Sequence, residues 1–351
     1  MQGVGQPSVL DGARIYAKLK SEVRAAGILS KSYSFYIPLI LVAITGYLLS
    51  AWAIFALDSY PLLVLACLGF TFFTVQLAGV MHDSGHRAVF SSVRSNEILG
   101  AVCCGLIGMV FDNWRTRHNI HHAFPNQEGK DPDLEIPLIA TSARLYARKS
   151  PLQRALMPYQ AYYYFPLGAL ASFSNRLGSL SYFRHRRSRN DLSRFAIYLP
   201  AVVFLFVLPF ALFSPAKALF VLSIVHITSG IYLANCFAPN HKGMAIISSN
   251  STMSFIERQV MTSRNVRGGL LTDILLVGLN RQVEHHLFPN CPRNKLHLLR
   301  PYVMNACKAL GLNYVEAGII ETNRDILRQL RGVPSVATLP ALPAAAPAAA
   351  D

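Results

Sequence analysis

The sequence predicts an all-α integral membrane protein, with four transmembrane helices in two hairpins and a cytoplasmic helical cap that carries a metal site. Three observations support this. Of 351 residues, 52% are apolar and only 15% charged, with a mean hydropathy of +0.32, which excludes a disordered chain and is too apolar for an ordinary soluble enzyme. The apolar residues gather in four stretches long enough to cross a bilayer core, which takes about 20 residues per helix. Eight of the eleven histidines fall in or beside four places that map to one side of that threading.

Residues 1–37 are polar, carry both charge signs and run straight into an apolar stretch with no small-residue cleavage site, so the first span is expected to be an anchor rather than a signal peptide. The expected spans lie at roughly 38–57, 61–80, 195–213 and 217–239. Only Asp58, Ser59 and Tyr60 separate the first pair before Pro61, and Ser214, Pro215 and Ala216 separate the second, so each pair must be antiparallel. Residues 38–57 hold no charge and no polar stripe, unlike a core helix of a soluble protein. The stretches 97–111 and 269–279 are too short to cross, and 159–165 (YQAYYYF) has the aromatic density of a headgroup belt; interfacial helices are expected there. A membrane domain over 38–315 is then followed by a C-terminal cap helix at 316–333 and a Pro/Ala tail at 334–351 that reads as disordered.

The formal charge of +15 favours anionic partners, here membrane lipids rather than nucleic acid. Lys and Arg number five in residues 1–37, fifteen in 81–194 and twelve in 241–351, against Lys217 alone on the opposite face, so the positive-inside rule makes those segments cytoplasmic. An excess of Arg (24) over Lys (9) and the Ala-rich tail hint at a GC-rich bacterial genome, hence a bacterial cytoplasmic membrane. Six cysteines without a CxxC pair read as reduced packing residues.

His82 and His86 (HDSGH) follow the second span at i and i+4, which puts both rings on one helix face. His118, His121 and His122 (HNIHH) repeat that geometry, as do Gln282, His285 and His286 (QVEHH) with glutamine leading. His241 sits at the end of the fourth span. Packing does not ask for so many imidazoles at one point, since clustered rings are costly unless they share a cation. Eight nitrogens exceed one tetrahedral zinc, so either two metals share the cluster or some rings only support others. Zinc hydrolysis with Asp83 or Glu284 as general base is a rival use of the same residues, and a metal-binding receptor or transporter is a third.

HDSGH, HNIHH and QVEHH, in this order between two hairpins, resemble the three histidine boxes of the membrane fatty acyl desaturases, over roughly residues 38–315 and in flanking text such as RHNIHHAFPNQEGKDPDLE and LNRQVEHHLFP. The resemblance implies a di-metal site of two non-haem iron ions in the cytoplasmic cap, using O2 and two electrons to desaturate a long-chain acyl group carried on CoA or in a membrane lipid. The leading Gln282 is similar to the front-end type, whereas the stearoyl-CoA type has histidine there. With no HPGG haem motif in the sequence, electrons are expected from a separate ferredoxin or cytochrome b5-type donor and its reductase, docking near Arg184–Arg194 or Arg293–Arg300. A membrane hydroxylase, a sphingolipid desaturase and a carotenoid oxygenase are the related alternatives. An unactivated C–H bond fits the implied chemistry, because side chains alone supply no strong one-electron oxidant.

The boxes supply seven histidines, His82, His86, His118, His121, His122, His285 and His286, and the family places a further ligand after the fourth span beside an asparagine that holds a metal-bound water. His241 is level with the boxes and His226 lies about 22 Å away along the helix, so His241 is the expected eighth ligand and His226 a packing partner. Asn235 and Asn240 are the candidate asparagines. Asp83 and Glu284 stand between orienting a ring and carrying loop charge; Asp112 has the same two readings, and Asp131 and Asp133 read as loop charges. His185, in RHRRSR, reads as part of a membrane-surface patch and His297 as a packing residue.

Overall fold

The computed structural model describes residues 9–185 and 189–337. A short amphipathic helix, α1 (Val9–Ala25), precedes the first hairpin, α2 (Tyr33–Ala56) and α3 (Tyr60–Gly85), which is followed by α4 (Val93–Leu106) and α5 (Phe111–Ala123). Four short helices come next: α6 (Ala143–Ala147), α7 (Pro151–Leu156), α8 (Gln160–Gly168) and α9 (Ala171–His185). The second hairpin is α10 (Arg189–Val202), a π turn at Val203–Val207, α11 (Leu208–Leu212) and α12 (Pro215–His241). The chain closes with α13 (Phe255–Thr262), β1 (Asn265–Val266), α14 (Leu270–Leu275), α15 (Gln282–Leu287), α16 (Leu296–Ala309), β2 (Glu316–Ala317) and α17 (Ile319–Ala337).

Four helices among the described residues are long and apolar enough to cross a membrane, Tyr33–Ala56, Tyr60–Gly85, Ser193–Leu212 and Pro215–His241, and the protein is an integral membrane protein. Ser59 and Pro61 open α3, and Ser214 opens α12 by accepting the amide of Lys217, with Pro215 needing no acceptor in the first turn. Pro209 cannot donate to the preceding turn, and the π turn just before it absorbs that break in the third span. At the end of the bundle remote from the histidines, Lys217 Nζ reaches Asp58 Oδ1 (3.0 Å) and the Leu57 carbonyl (3.2 Å), so the isolated lysine ties one hairpin loop to the other.

Burial follows one stripe on the outer helices. In α2 the buried residues are Tyr36, Ala43, Tyr47, Ala51 and Ile54, while Leu41, Val42, Leu49 and Trp52 are exposed, as expected where lipid is the solvent. The stretch expected to lie flat at 97–111 does something else. The Leu106 carbonyl accepts from Tyr47 of α2, ~16 Å along that helix from Tyr36, so α4 descends beside the spans. Gly108, at φ +74°, then turns the chain through a 108° bend into α5, which climbs back to the histidines.

Outside the four spans a separate core forms, in which Leu19 and Val23 of α1 pack with Ile256, Val260, Val283, Leu287, Leu299 and Val303. A two-residue parallel ladder, Asn265 with Glu316 and Val266 with Ala317, interrupts the otherwise helical architecture. The C-terminal helix therefore starts at Ile319 and runs past Val333 to Ala337; the rest of the Pro/Ala tail lies outside the described residues. All six cysteines are free and buried.

Candidate metal centre

Four helix ends converge on one point. The last turn of α3 brings His82, with His86 as its C-cap; α5 brings His118, His121 and His122 from one face; α12 ends on His241; and the single full turn of α15 brings His285 and His286. Ring nitrogens of His82, His86, His118, His122 and His285 lie within 4.8 Å of one another, and those of His121, His241 and His286 form a second group by the same measure. The groups touch, since the His122 and His286 rings stack with centroids 4.2 Å apart.

The rings are aimed from outside. His121 Nδ1 faces both oxygens of Asp131 (3.2 and 3.1 Å), His241 Nδ1 the Thr262 carbonyl (2.9 Å), His286 Nδ1 the Gln259 amide oxygen (2.8 Å) and His82 Nδ1 Asp83 Oδ1 (3.2 Å). With Nδ1–H donated outward, each of these rings keeps its Nε2 lone pair for the centre. Those inner nitrogens crowd: His86 and His118 Nε2 are 2.9 Å apart, His118 and His122 3.1 Å, His122 and His285 3.2 Å, and His121 and His241 3.3 Å. His82 Nε2 and His286 Nε2 are buried with no hydrogen-bond partner. Burial, reinforced by neighbouring rings, holds His86, His118, His122, His285 and His286 well below the usual histidine range, so these rings are neutral donors. His121 alone is shifted upward, against its burial, by its hydrogen bond to Asp131. Neutral nitrogens pointed at one another with buried lone pairs are what a shared cation would satisfy, and an all-nitrogen set suits a transition metal such as iron.

The supporting residues differ in part from expectation. Asp83 does orient a ring, and it also accepts from Tyr36 Oη (2.8 Å) and from Arg293. Arg293 is thereby buried in an ion pair and is not the exposed donor-docking residue it was expected to be; Arg300, paired with Glu316, is partly exposed. Of the other expected docking patch, residues 186–188 lie outside the described residues. Asp131 is no loop charge. It is 1% exposed and, besides His121, takes the amides of Asn126 and Asp133. Asp133 is half exposed, yet its Oδ2 lies 3.6 Å from His121 Nδ1, so it too stands beside the ring and is not the plain loop charge expected. Glu284 is buried but faces away from the rings, accepting from Asn265 Nδ2 (2.7 Å) and Tyr314 Oη (2.5 Å); burial raises its carboxyl above the usual range. Asp112 pairs with Arg115 and Arg194 and touches no ring.

Both candidate asparagines donate back into their own helix, Asn240 to the Cys236 carbonyl (3.0 Å) and Asn235 to that of Ile231 (2.8 Å). Asn240, however, is wholly buried with its Oδ1 unpartnered and its Nδ2 also 3.4 Å from Gln282 Oε1, whereas Asn235 is half-buried. Gln282 Nε2 lies 2.9 Å from His241 Nε2, so the glutamine side chain enters the second group where a ligand would stand. His226 is buried and stacks between Phe173 and Phe206 with Nδ1 on Ser172 Oγ, apart from the cluster. His297 is exposed and not the packing residue expected, and the side chain of His185 lies outside what the structure describes. Gln259, Thr262, Asn126 and Arg264 carried no sequence signal. Asn126 Nδ2 donates to the His241 carbonyl, and Arg264 ties the end of α12 to α17 through Pro239, Lys242, Thr322 and Asp325.

Comparison with known proteins agrees with this arrangement. The family model described as fatty acid desaturase matches residues 58–318. The chain is 30% identical over 261 residues to an acyl-lipid 8-desaturase of Rebecca salina (71% of this chain, 58% of that protein), and 28% identical over 329 residues to a Delta(8)-fatty-acid desaturase of Euglena gracilis (88% and 76%). It is 27% identical over 351 residues to a Delta 8-(E)-sphingolipid desaturase of Kluyveromyces lactis (91% and 58%). The match thus spans little more than half the length of two of these relatives. All three come from eukaryotes, which lends no support to a bacterial source.

Proposed function

Because the chain belongs to the fatty acid desaturase family, we propose that it introduces a cis double bond into a long-chain acyl group, carried on CoA or in a membrane lipid, at two iron ions held by these histidines. What supports this most is the pair of contiguous nitrogen groups at the ends of four helices. His82, His86, His118, His122 and His285 would hold one ion, and His121, His241 and His286 the other, with Gln282 and Asn240 beside it. Bound iron supplies the oxidising power from O2 that C–H cleavage needs. In balance, O2, two electrons, two protons and the two hydrogens of a –CH2–CH2– unit give –CH=CH– and two waters.

The chain's own residues position and shield. Asp83, Asp131, Thr262 and Gln259 fix ring orientation through Nδ1, which turns each Nε2 toward the centre. Five of the eight histidines are buried and His86, His118 and His122 half-buried, which limits the access of bulk water to the reacting carbons. A small apolar cavity lined by Ile54, Phe70, Leu205, Val221 and Val225 lies between the spans, and an acyl tail could occupy this region by displacing side chains. The basic charge of the non-spanning segments argues for a cytoplasmic cap and for an acidic electron donor, ferredoxin or cytochrome b5 in type. The Kluyveromyces relative keeps sphingolipid as a second substrate class, and hydroxylation remains the alternative outcome of the same first C–H cleavage.

Expression in a host with simple fatty acids, followed by mass spectrometry with chemical location of double bonds, tests the proposal. New monounsaturated or further desaturated acyl chains are expected. Hydroxylated chains, or an unchanged lipid profile with an iron-loaded protein, would refute it.

A further inference from the structure

A second cavity, of about 200 Å³, opens on the cap beside the third histidine motif. Its lining is polar: Arg267, Arg281, Arg300, Asn265, Asn280 and Glu316. Three guanidiniums and one carboxylate line it; Asn265 Nδ2 is spent on Glu284 and Tyr314 and Asn280 Nδ2 on Asp273, so the arginines are the donors open to a ligand. Each arginine is paired with an acid, Arg267 with Glu321 (3.2 Å), Arg281 with Asp273 (3.4 Å) and Arg300 with Glu316, so the pocket offers guanidinium N–H groups within balanced ion pairs rather than a net positive charge. Planar guanidiniums with free N–H groups match the oxygens of a phosphate.

The level of this pocket in the membrane identifies the source of that phosphate. Val266 donates to the Asn280 carbonyl, and Arg264 beside it donates to the Asn240 carbonyl, which puts the upper wall level with His241. The chain then descends into α14. There the Ile274 carbonyl accepts from Gln76 and the Leu275 carbonyl from Cys236, residues ~9 Å and ~7.5 Å on the bilayer side of His82 and His241. Leu270, Leu271, Ile274 and Leu275 of α14 are all exposed, the first two at 75% and 69%. An arginine-lined pocket directly above a row of exposed leucines at the end of two spans has the order of a lipid, phosphate above and acyl chains below.

We propose that this pocket binds the phosphodiester of a membrane phospholipid, whose acyl chains lie along the exposed face of α14. A phosphate from solution would use the arginines and ignore the leucines. Occupancy is independent of turnover, so this inference stands or falls apart from the catalytic proposal.

The test is equilibrium binding of radiolabelled phosphatidylglycerol to the purified full chain in uncharged detergent, with diacylglycerol and inorganic phosphate as competitors. One saturable site is expected, which neither competitor empties at equal concentration. Arg267→Gln/Arg281→Gln should weaken it roughly tenfold, the loss of one to two charge-assisted hydrogen bonds, and Leu270→Ser/Leu271→Ser should weaken it as well. Arg267→Gln alone, at a side chain 62% exposed, reads the same effect without endangering the fold. Unchanged affinity in the arginine variants, or displacement by inorganic phosphate as effective as by lipid, would overturn the proposal.

Discussion

His226 and His241 stand on the same helix, and the difference between their surroundings separates structure from chemistry in this protein. His226, midway along α12, is flanked by Phe173 at 4.3 Å and Phe206 at 4.8 Å between ring centroids, with one hydrogen bond to Ser172. His241, at the helix end, is flanked by His121 at 4.7 Å and His286 at 4.6 Å, with Nδ1 fixed on a carbonyl and Nε2 among other nitrogens. The first ring is held by aromatic packing and one polar neighbour, with its Nε2 buried and without a hydrogen-bond partner, and among the described residues no other nitrogen ligand converges on it. The second is oriented by the protein with its Nε2 facing His121 Nε2 (3.3 Å) and Gln282 Nε2 (2.9 Å), and that convergence of nitrogen atoms on one point marks a ligand.

The comparison breaks most visibly at His122, which adjoins both nitrogen groups. His122→Ala should abolish desaturation and lower bound iron by at least one equivalent, read by product analysis and elemental analysis; an active, fully loaded variant would erase the distinction between the two regions. Asp131→Asn comes next. It keeps the shape but offers His121 a weaker acceptor, and should reduce metal affinity or activity roughly 10- to 100-fold, checked by metal titration against the parent. Among the asparagines, Asn240→Ala should lower activity several-fold while Asn235→Ala leaves it near the parent's, in steady-state assays of the two side by side. The smallest catalytic effect is expected from His226→Ala, which should keep both metals and lose about 1–3 kcal/mol of stability, measured by thermal unfolding in detergent.

The spans and the histidine motifs were legible because their signals are local: hydropathy over about 20 residues and spacing of i, i+3, i+4 on one helix face. The ring-orienting residues were not, because they arrive from elsewhere in the fold. Gln259 reaches His286 across 27 residues and Arg293 reaches Asp83 across 210. Asp131 is ten residues from His121, but only the turn at Asn126, with φ +51°, folds it back beneath the ring. Glu284 misled in the opposite sense. It adjoins His285 in sequence, but successive residues on a helix point about 100° apart, and its carboxyl faces Asn265 and Tyr314. The bend between α4 and α5 was illegible because the apolar content of 97–111 suits an interfacial helix and a re-entrant one equally.

Iron bound per chain in the purified parent and in His241→Ala and His226→Ala tests the two-ion centre most directly. Two equivalents are expected in the parent, about one in His241→Ala with nearly all activity lost, and two in His226→Ala. An empty His226→Ala beside a loaded, active His241→Ala would contradict the account.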